Sequence, residues 1–138
     1  MSDQPGGLPY LNRYLAVLTA SVVGITLIGY LLAVAAGIAL PMGALAVLPP
    51  MIGALHVGQH WGRERGHVPE ARAAWRWAGA GALVYLALIV VLAVPMFGVI
   101  RNVLGLAVVL AVLTTLMTVL LNRFFLSIGA RSAVAGRG

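Results

Sequence analysis

An all-α membrane protein, a bundle of four transmembrane helices with both termini cytoplasmic, is the fold this sequence predicts. Three observations carry that reading. The 138 residues include nine arginines, no lysine and three acidic residues, nearly all of them outside long apolar runs. A charge at mid-membrane costs about 2.5–3.5 kcal/mol on insertion scales, so a bilayer pushes charges to loops and ends. No charged side chain interrupts the stretches from Arg13 to His56, Arg76 to Arg101 and Arg101 to Arg123. A helix needs about 20 apolar residues to cross a hydrocarbon core about 30 Å thick, so these gaps supply two, one and one spans. Finally, 62% of the chain is hydrophobic, too much for an ordinary soluble domain. The runs are apolar at successive positions rather than alternate ones, which excludes a transmembrane β-barrel.

The elements follow in order within a single transmembrane domain. Residues 1–9, with Pro5, Gly6, Gly7 and Pro9, read as a flexible tail. Span one covers about 14–37. Ala33-Val34-Ala35 resembles a signal-peptide cleavage site, but the apolar run continues well past it and the span is expected to remain. Span two covers about 41–61 and carries Pro49 and Pro50. Those prolines withhold two amide donors and free the carbonyls of Leu45 and Ala46, predicting a kink or a shorter helix that starts at Pro50. Span three covers about 74–94 and ends at Pro95. Span four covers about 103–121 and closes on Asn122, Arg123, Phe124 and Phe125, leaving 129–138 as a disordered basic tail.

Orientation comes from counting arginines. Arg13, Arg63, Arg65, Arg72, Arg76, Arg123, Arg131 and Arg137 fall on one side of this plan, and Arg101 alone on the other. The arginine-rich side, with both termini, is therefore predicted to be cytoplasmic. The net charge of +6 reads as topology rather than a nucleic-acid footprint. Arginine-only basicity in a chain rich in Ala, Gly and Val matches GC-rich coding and a bacterial inner membrane. With no cysteine, disulfides, thiolate nucleophiles and iron–sulfur ligation are excluded.

Without a hydrophobic drive between helices in lipid, small residues must let backbones approach. Span one offers Ala20, Gly24 and Ile28 on one line and Gly29, Ala33 and Gly37 on another. Span two ends on Gly58, Gly62 and Gly66, and span three carries Ala78 and Ala82 beside Gly79 and Gly81. Packing within the chain is expected for these, with an oligomeric interface as the alternative. Thr114, Thr118 and Asn122 share one face of span four, and Thr26 and Tyr30 form a shorter line on span one. Hydroxyls in such places bond a local carbonyl or a neighbouring helix. No Asp, Glu or Lys lies within a span, which argues against a proton- or cation-coupled carrier.

The sharpest constellation is His56, His60 and Glu64, stacked on one helix face at four-residue steps. Two imidazoles and a carboxylate at that spacing can hold a metal, although the residue after His56 is Val57, not the glutamate of a zinc-protease motif. Axial haem ligation would need a second copy or a partner. Interfacial histidines, touching water and headgroups near Arg63, are the plainer expectation, with a quinone or lipid headgroup contact as a further one. No resident cofactor is expected. The segment that follows is rich in Arg and Trp. Trp61, Trp75 and Trp77 fit an interfacial aromatic belt, and Arg63, Glu64, Arg65, Glu70 and Arg72 would lie against anionic headgroups or a protein partner.

Gly66, Pro69, Trp75 and Arg76 give this segment a Gly-x-x-Pro…Trp-Arg pattern. Residues 58–78 resemble the second loop of a group of small four-span bacterial inner-membrane proteins of unassigned activity. There a Gly-Arg-x-Pro turn precedes an acidic residue and then Trp-Arg. His67 stands where that group has Arg, and Ala73 where it has the acidic residue. The resemblance implies the four-helix plan and the location, and brings no catalytic residues.

The chain has little extramembrane mass to host a catalytic pocket. A non-enzymatic protein is therefore expected, acting through helix and loop contacts as an accessory, assembly or stabilising subunit of a larger respiratory or photosynthetic membrane complex. Its contacts with lipid or partner are expected at Gly24, Gly29, Arg63, Arg65, Trp75 and Arg76. The alternatives are a small homo-oligomeric transporter or channel built around the threonine stripe and the kinked second span, and a metal or redox protein using His56 and His60.

Overall fold

The computed structural model describes residues 8–39, 41–96, 98 and 103–136, and over these it is all helical. Helix α1 runs Leu11–Ala36, α2 Met42–Arg65, α3 Ala71–Ala93 and α4 Leu104–Ala135, with a short 3₁₀ turn at Val94–Met96. Successive helices run antiparallel. The start of α1 meets the end of α2, where Tyr10 reaches Glu64, and the middle of α4 meets α1, where Asn122 reaches Tyr14. The packing order is α1 on α2, α2 on α4 and α4 on α3, with α1 and α3 touching less.

Local chemistry explains the boundaries. Gly37 and Gly66 close α1 and α2 in left-handed conformations, at φ 65° and 69°, that cost a residue without a Cβ nothing. Arg63 and Arg65 sit in the last turn of α2, where positive charge suits the helix dipole. Pro69 and Glu70 precede α3, and Pro95 falls in the 3₁₀ turn that follows it.

Of the four helices, α1, α3 and α4 are long and apolar enough to cross a membrane, while α2 is not among them. The prolines, glycines, Gln59 and two histidines of α2 lower its hydropathy. Pro49 and Pro50 lie inside this helix, so it does not begin at Pro50.

One expectation is overturned. Residues 129–135 are not a disordered tail: α4 continues to Ala135, at 32 residues about 48 Å long. Its Ser-, Gly- and Ala-rich end is ordered because Gly129 and Ala130 are buried against α2. Arg101 and Arg137, two of the arginines used for orientation, lie outside the described residues, as do residues 1–7 and 138.

The core occupies one end of the bundle. Tyr14, Leu18, Ala54, Val57, Trp77, Tyr85 and Leu126 are buried together there. Toward the other end the helices splay, and large apolar side chains face outward along α1, α3 and α4, as at Val34 (69% exposed) and Val91 (65%). Between α3 and α4 this leaves a cleft of about 610 Å³, lined by Tyr85, Ile89, Val90, Leu104, Val108 and Ala111 among others. A smaller one of about 280 Å³, with Val22, Leu88 and Leu92 in its wall, opens between α1 and α3.

Candidate functional site

The polar groups of the bundle fall into two sets, one buried and one at the mouth of the packed end. In the buried set, Tyr85 donates its hydroxyl to the carbonyl of Ala46 at 3.2 Å. That carbonyl is the one Pro50 leaves without its helical donor, so α3 supplies what the proline withholds. Deeper in the same region, Asn122 is fully buried. Its amide meets most neighbours with the nitrogen donating to Pro50 O (3.2 Å) and the oxygen accepting from the Tyr14 hydroxyl (3.2 Å) and the Ala82 amide (3.3 Å). Gly81 keeps this space open, since a Cβ there would stand 2.9 Å from the Asn122 amide. A buried amide left unbonded would cost several kcal/mol on the order of cyclohexane transfer values, and here both of its ends are satisfied.

Close backbone contact joins α2 to α4. A Cβ at Gly58 would collide with the Leu126 carbonyl, one at Gly62 would stand 2.5 Å from Ala130 O, and one at Gly129 would collide with Leu55 O. Gly58 and Gly62 therefore pack within the chain, as their spacing predicts. At Gly24, itself half-buried, an added Cβ meets nothing within 4 Å among the described residues. Gly29, on the same helix, is half-buried.

At the mouth, α1 and α2 are tied by a hydrogen-bonded line. The Tyr10 hydroxyl donates to Glu64 Oε2, Glu64 Oε1 meets His60 Nε2 at 2.8 Å, and His60 Nδ1 meets Arg13 Nη1 at 2.7 Å. Arginine is a donor only, so Nδ1 of His60 accepts and its ring hydrogen sits on Nε2, pointing at the carboxylate. Tyr10 holds a left-handed backbone (φ 66°), unusual for an aromatic residue. Its ring stands edge-on to His60 and Trp61, at centroid distances of 5.0 and 5.9 Å, which together with Glu64 fixes it there. Burial, and then the bond to Glu64, raise the Tyr10 pKa. The same bond, ahead of the charges of His60 and Arg13, lowers that of Glu64.

Aromatic residues carry the rest of this end. The Arg65 guanidinium lies over Trp61 (4.5 Å to the ring centroid) and Arg123 over Trp75 (4.4 Å). Trp77 donates its indole N–H to Pro9 O at 3.0 Å and stands edge-on to Tyr14. Trp75 is half-exposed and Arg76 exposed, while Trp61 and Trp77 belong to the core rather than to an outer belt.

In this arrangement His60 is part of a hydrogen-bonded line from Tyr10 through Glu64 to Arg13. Both nitrogens of His60 are engaged, one of them by an arginine. Among the described residues, no group of three His, Cys, Asp or Glu stands close enough to hold a metal. The threonine stripe turns inward on its own helix: Thr118 Oγ1 donates to Thr114 O and Thr115 Oγ1 to Ala111 O, each at 2.7 Å. The residues that sequence reasoning passed over are Tyr10, Arg13, Tyr14 and Tyr85. A signal existed for Tyr85: the carbonyls freed by Pro49 and Pro50 call for a donor on a neighbouring helix, and tyrosines are the hydroxyl donors most able to reach. Nothing in the spacing paired Arg13 with His60.

Comparison with protein-family models, with curated proteins and with solved structures gives no match to this chain.

Proposed function

We propose that this is a four-span protein of the bacterial inner membrane, with both termini cytoplasmic, and that it works without catalysis as an accessory or assembly subunit of a larger membrane complex. The group of small four-span proteins that its second loop resembles is in keeping with that plan. The observation that carries the reading is the unevenness of the bundle. Tyr14, Tyr85, Thr118 and Asn122 spend their hydrogen bonds inside the chain, on Pro50, Ala46, Thr114 and each other, and among the described residues no line of ionisable groups runs through the spans. Its opposite end is splayed, with an apolar cleft between α3 and α4 and uncovered helix faces on α1, α3 and α4. Dispersion and close packing drive association in lipid, and an open wedge between two helices is where a further helix gains most of both. Gly24, where an added Cβ would meet no described neighbour, adds a flat strip on α1 for the same purpose. Such a complex is respiratory or photosynthetic by size and architecture alone.

The test is to tag the protein at its own locus, extract the membrane in mild detergent, and identify what co-migrates on native gels by mass spectrometry. A stoichiometric larger complex, lost when Ala107→Leu and Ala111→Leu fill the cleft, is the expected outcome. A lone homo-oligomer that survives those substitutions overturns the reading and leaves a homo-oligomeric transporter or channel in its place.

A further inference from the structure

We propose that Arg13, His56 and Arg63 form a binding site for one anionic phospholipid, with its phosphate at these three side chains and an acyl chain along Leu48 and Ile52. The inference concerns a ligand of the packed end and does not depend on which complex the protein joins. On α2 the positions 48, 52, 56, 60 and 63 follow one face at helical spacing. Leu48 and Ile52 are exposed and apolar, at 40% and 42%, and His56 and Arg63 continue the same line as exposed polar groups. An apolar stripe running into a cationic end has the shape of an amphiphile.

The charge balance points the same way. Among the described residues at this corner, Arg13, Arg63 and Arg65 face a single carboxylate, Glu64. That carboxylate is already held by Tyr10 and His60, while Arg65 lies on Trp61. Among the described residues, Arg63 and His56 have no hydrogen-bond or ion-pair partner. Arg13 meets His60, one helical turn from His56 on the same face of α2, and Arg63 continues that face. Arg13 is anchored through one nitrogen on His60, which leaves the rest of its guanidinium fork for a phosphate oxygen. The Cα–Cβ bond of a helical residue leans toward the helix N-terminus, which carries the Arg63 stem back toward the turn of His60. The corner therefore offers two arginines and an imidazole at the depth where the apolar face ends.

The experiment uses the full chain in a neutral detergent and follows thermal unfolding while phosphatidylglycerol, phosphatidylcholine or inorganic phosphate is titrated in. Phosphatidylglycerol is expected to raise the midpoint saturably, and the other two are not. Arg63→Gln is expected to weaken the apparent phosphatidylglycerol affinity about five-fold, the effect of one basic residue at a membrane surface. Arg72→Gln removes the same charge from the first turn of α3, a different helix from the one that carries the proposed line, and is expected to leave the affinity unchanged. Arg63 bonds nothing else described in the fold, so its replacement does not disturb packing, and unchanged circular dichroism checks this. Equal responses to phosphatidylcholine, or to inorganic phosphate, overturn the proposal, as does an Arg72→Gln loss equal to that of Arg63→Gln.

Discussion

Replacing Gly58 by alanine inserts a methyl group where α2 and α4 touch through their backbones. The new Cβ would stand 3.0 Å from the Leu126 carbonyl carbon and 3.1 Å from the Ala130 amide nitrogen, and nearer still to the Leu126 oxygen. No flexible side chain is there to yield, so the helices must separate along the whole contact. Overpacking of a well-filled site costs about 1–3 kcal/mol, and backbone neighbours place this case at the upper end. The higher helix propensity of alanine returns at most about 1 kcal/mol, leaving a net loss of about 2 kcal/mol. Gly129→Ala strikes the same contact from α4, where the Gln59 amide would lie 2.9 Å from the new carbon. Because one separation relieves both clashes, the double variant should lose about 3 kcal/mol rather than 4. Gly24→Ala, with open space around it, is the control and should lose nothing. Reversible denaturation in mixed micelles, followed by tryptophan fluorescence, measures all four proteins. Equal stability of the Gly58→Ala and Gly24→Ala proteins, or strict additivity in the double variant, refutes a backbone-to-backbone crossing at this point.

Other outcomes follow from the same geometry. Tyr85→Phe removes the donor to the carbonyl freed by Pro50 and should destabilise by about 1 kcal/mol, the scale of an interhelical hydrogen bond. In the Pro50→Ala background, where the helix supplies its own amide, the same change should cost much less, and a denaturation cycle over the four proteins reads the difference. Asn122→Leu strips the buried hub of its donor and acceptor, leaving the Tyr14 hydroxyl without that partner, and should cost about 1–3 kcal/mol in the same assay. Thr118→Val, whose hydroxyl serves only the Thr114 carbonyl, should change stability by less than about 0.5 kcal/mol. Glu64 titrates below the usual carboxylate range chiefly because the Tyr10 hydroxyl bonds its charged form. Its contribution is therefore present above the unfolded carboxyl value of about 4.3 and lost as pH falls through the lower folded value. Tyr10→Phe should move the carbon-13 titration of the Glu64 carboxyl upward; an unmoved titration would remove Tyr10 as the cause.

The sequence made the helices legible because a bilayer writes them in charge. Arg13, His56, Arg76 and Arg101 stand at the edges of apolar runs, and α1 and α3 fall within three residues of the boundaries those gaps imply. The end of α4 was not legible in this way. Gly129, Arg131 and Ser132 look like a disordered basic tail until Gly58 and Gly62 are set against that end of α4, and that pairing is a property of two helices together. Pro49 and Pro50 posed a choice between kink and start that local rules leave open. Tyr85, from another helix, bears on it by providing the missing donor. The small-residue lines were readable as packing surfaces but not assignable: Gly58 and Gly24 look alike in sequence, and only the fold separates the one that touches a helix from the one that does not. The histidine face shows the same limit, since its spacing suits a metal until Arg13 arrives from α1 and takes a ring nitrogen.

The crossing of α2 with α4 also fixes an order of events during synthesis. The least apolar helix finds its closest partner in α4, two helices later in the chain, around Gly129 and Ala130. Until those residues leave the ribosome, the Gly58–Gly62 face lacks its α4 partner, and the Leu55 carbonyl lacks the close approach of Gly129. The nascent chain must therefore hold a proline-bearing, histidine-tipped segment in a provisional state while two further helices are translated. Commitment to the native bundle comes only once α4 has been translated and has emerged.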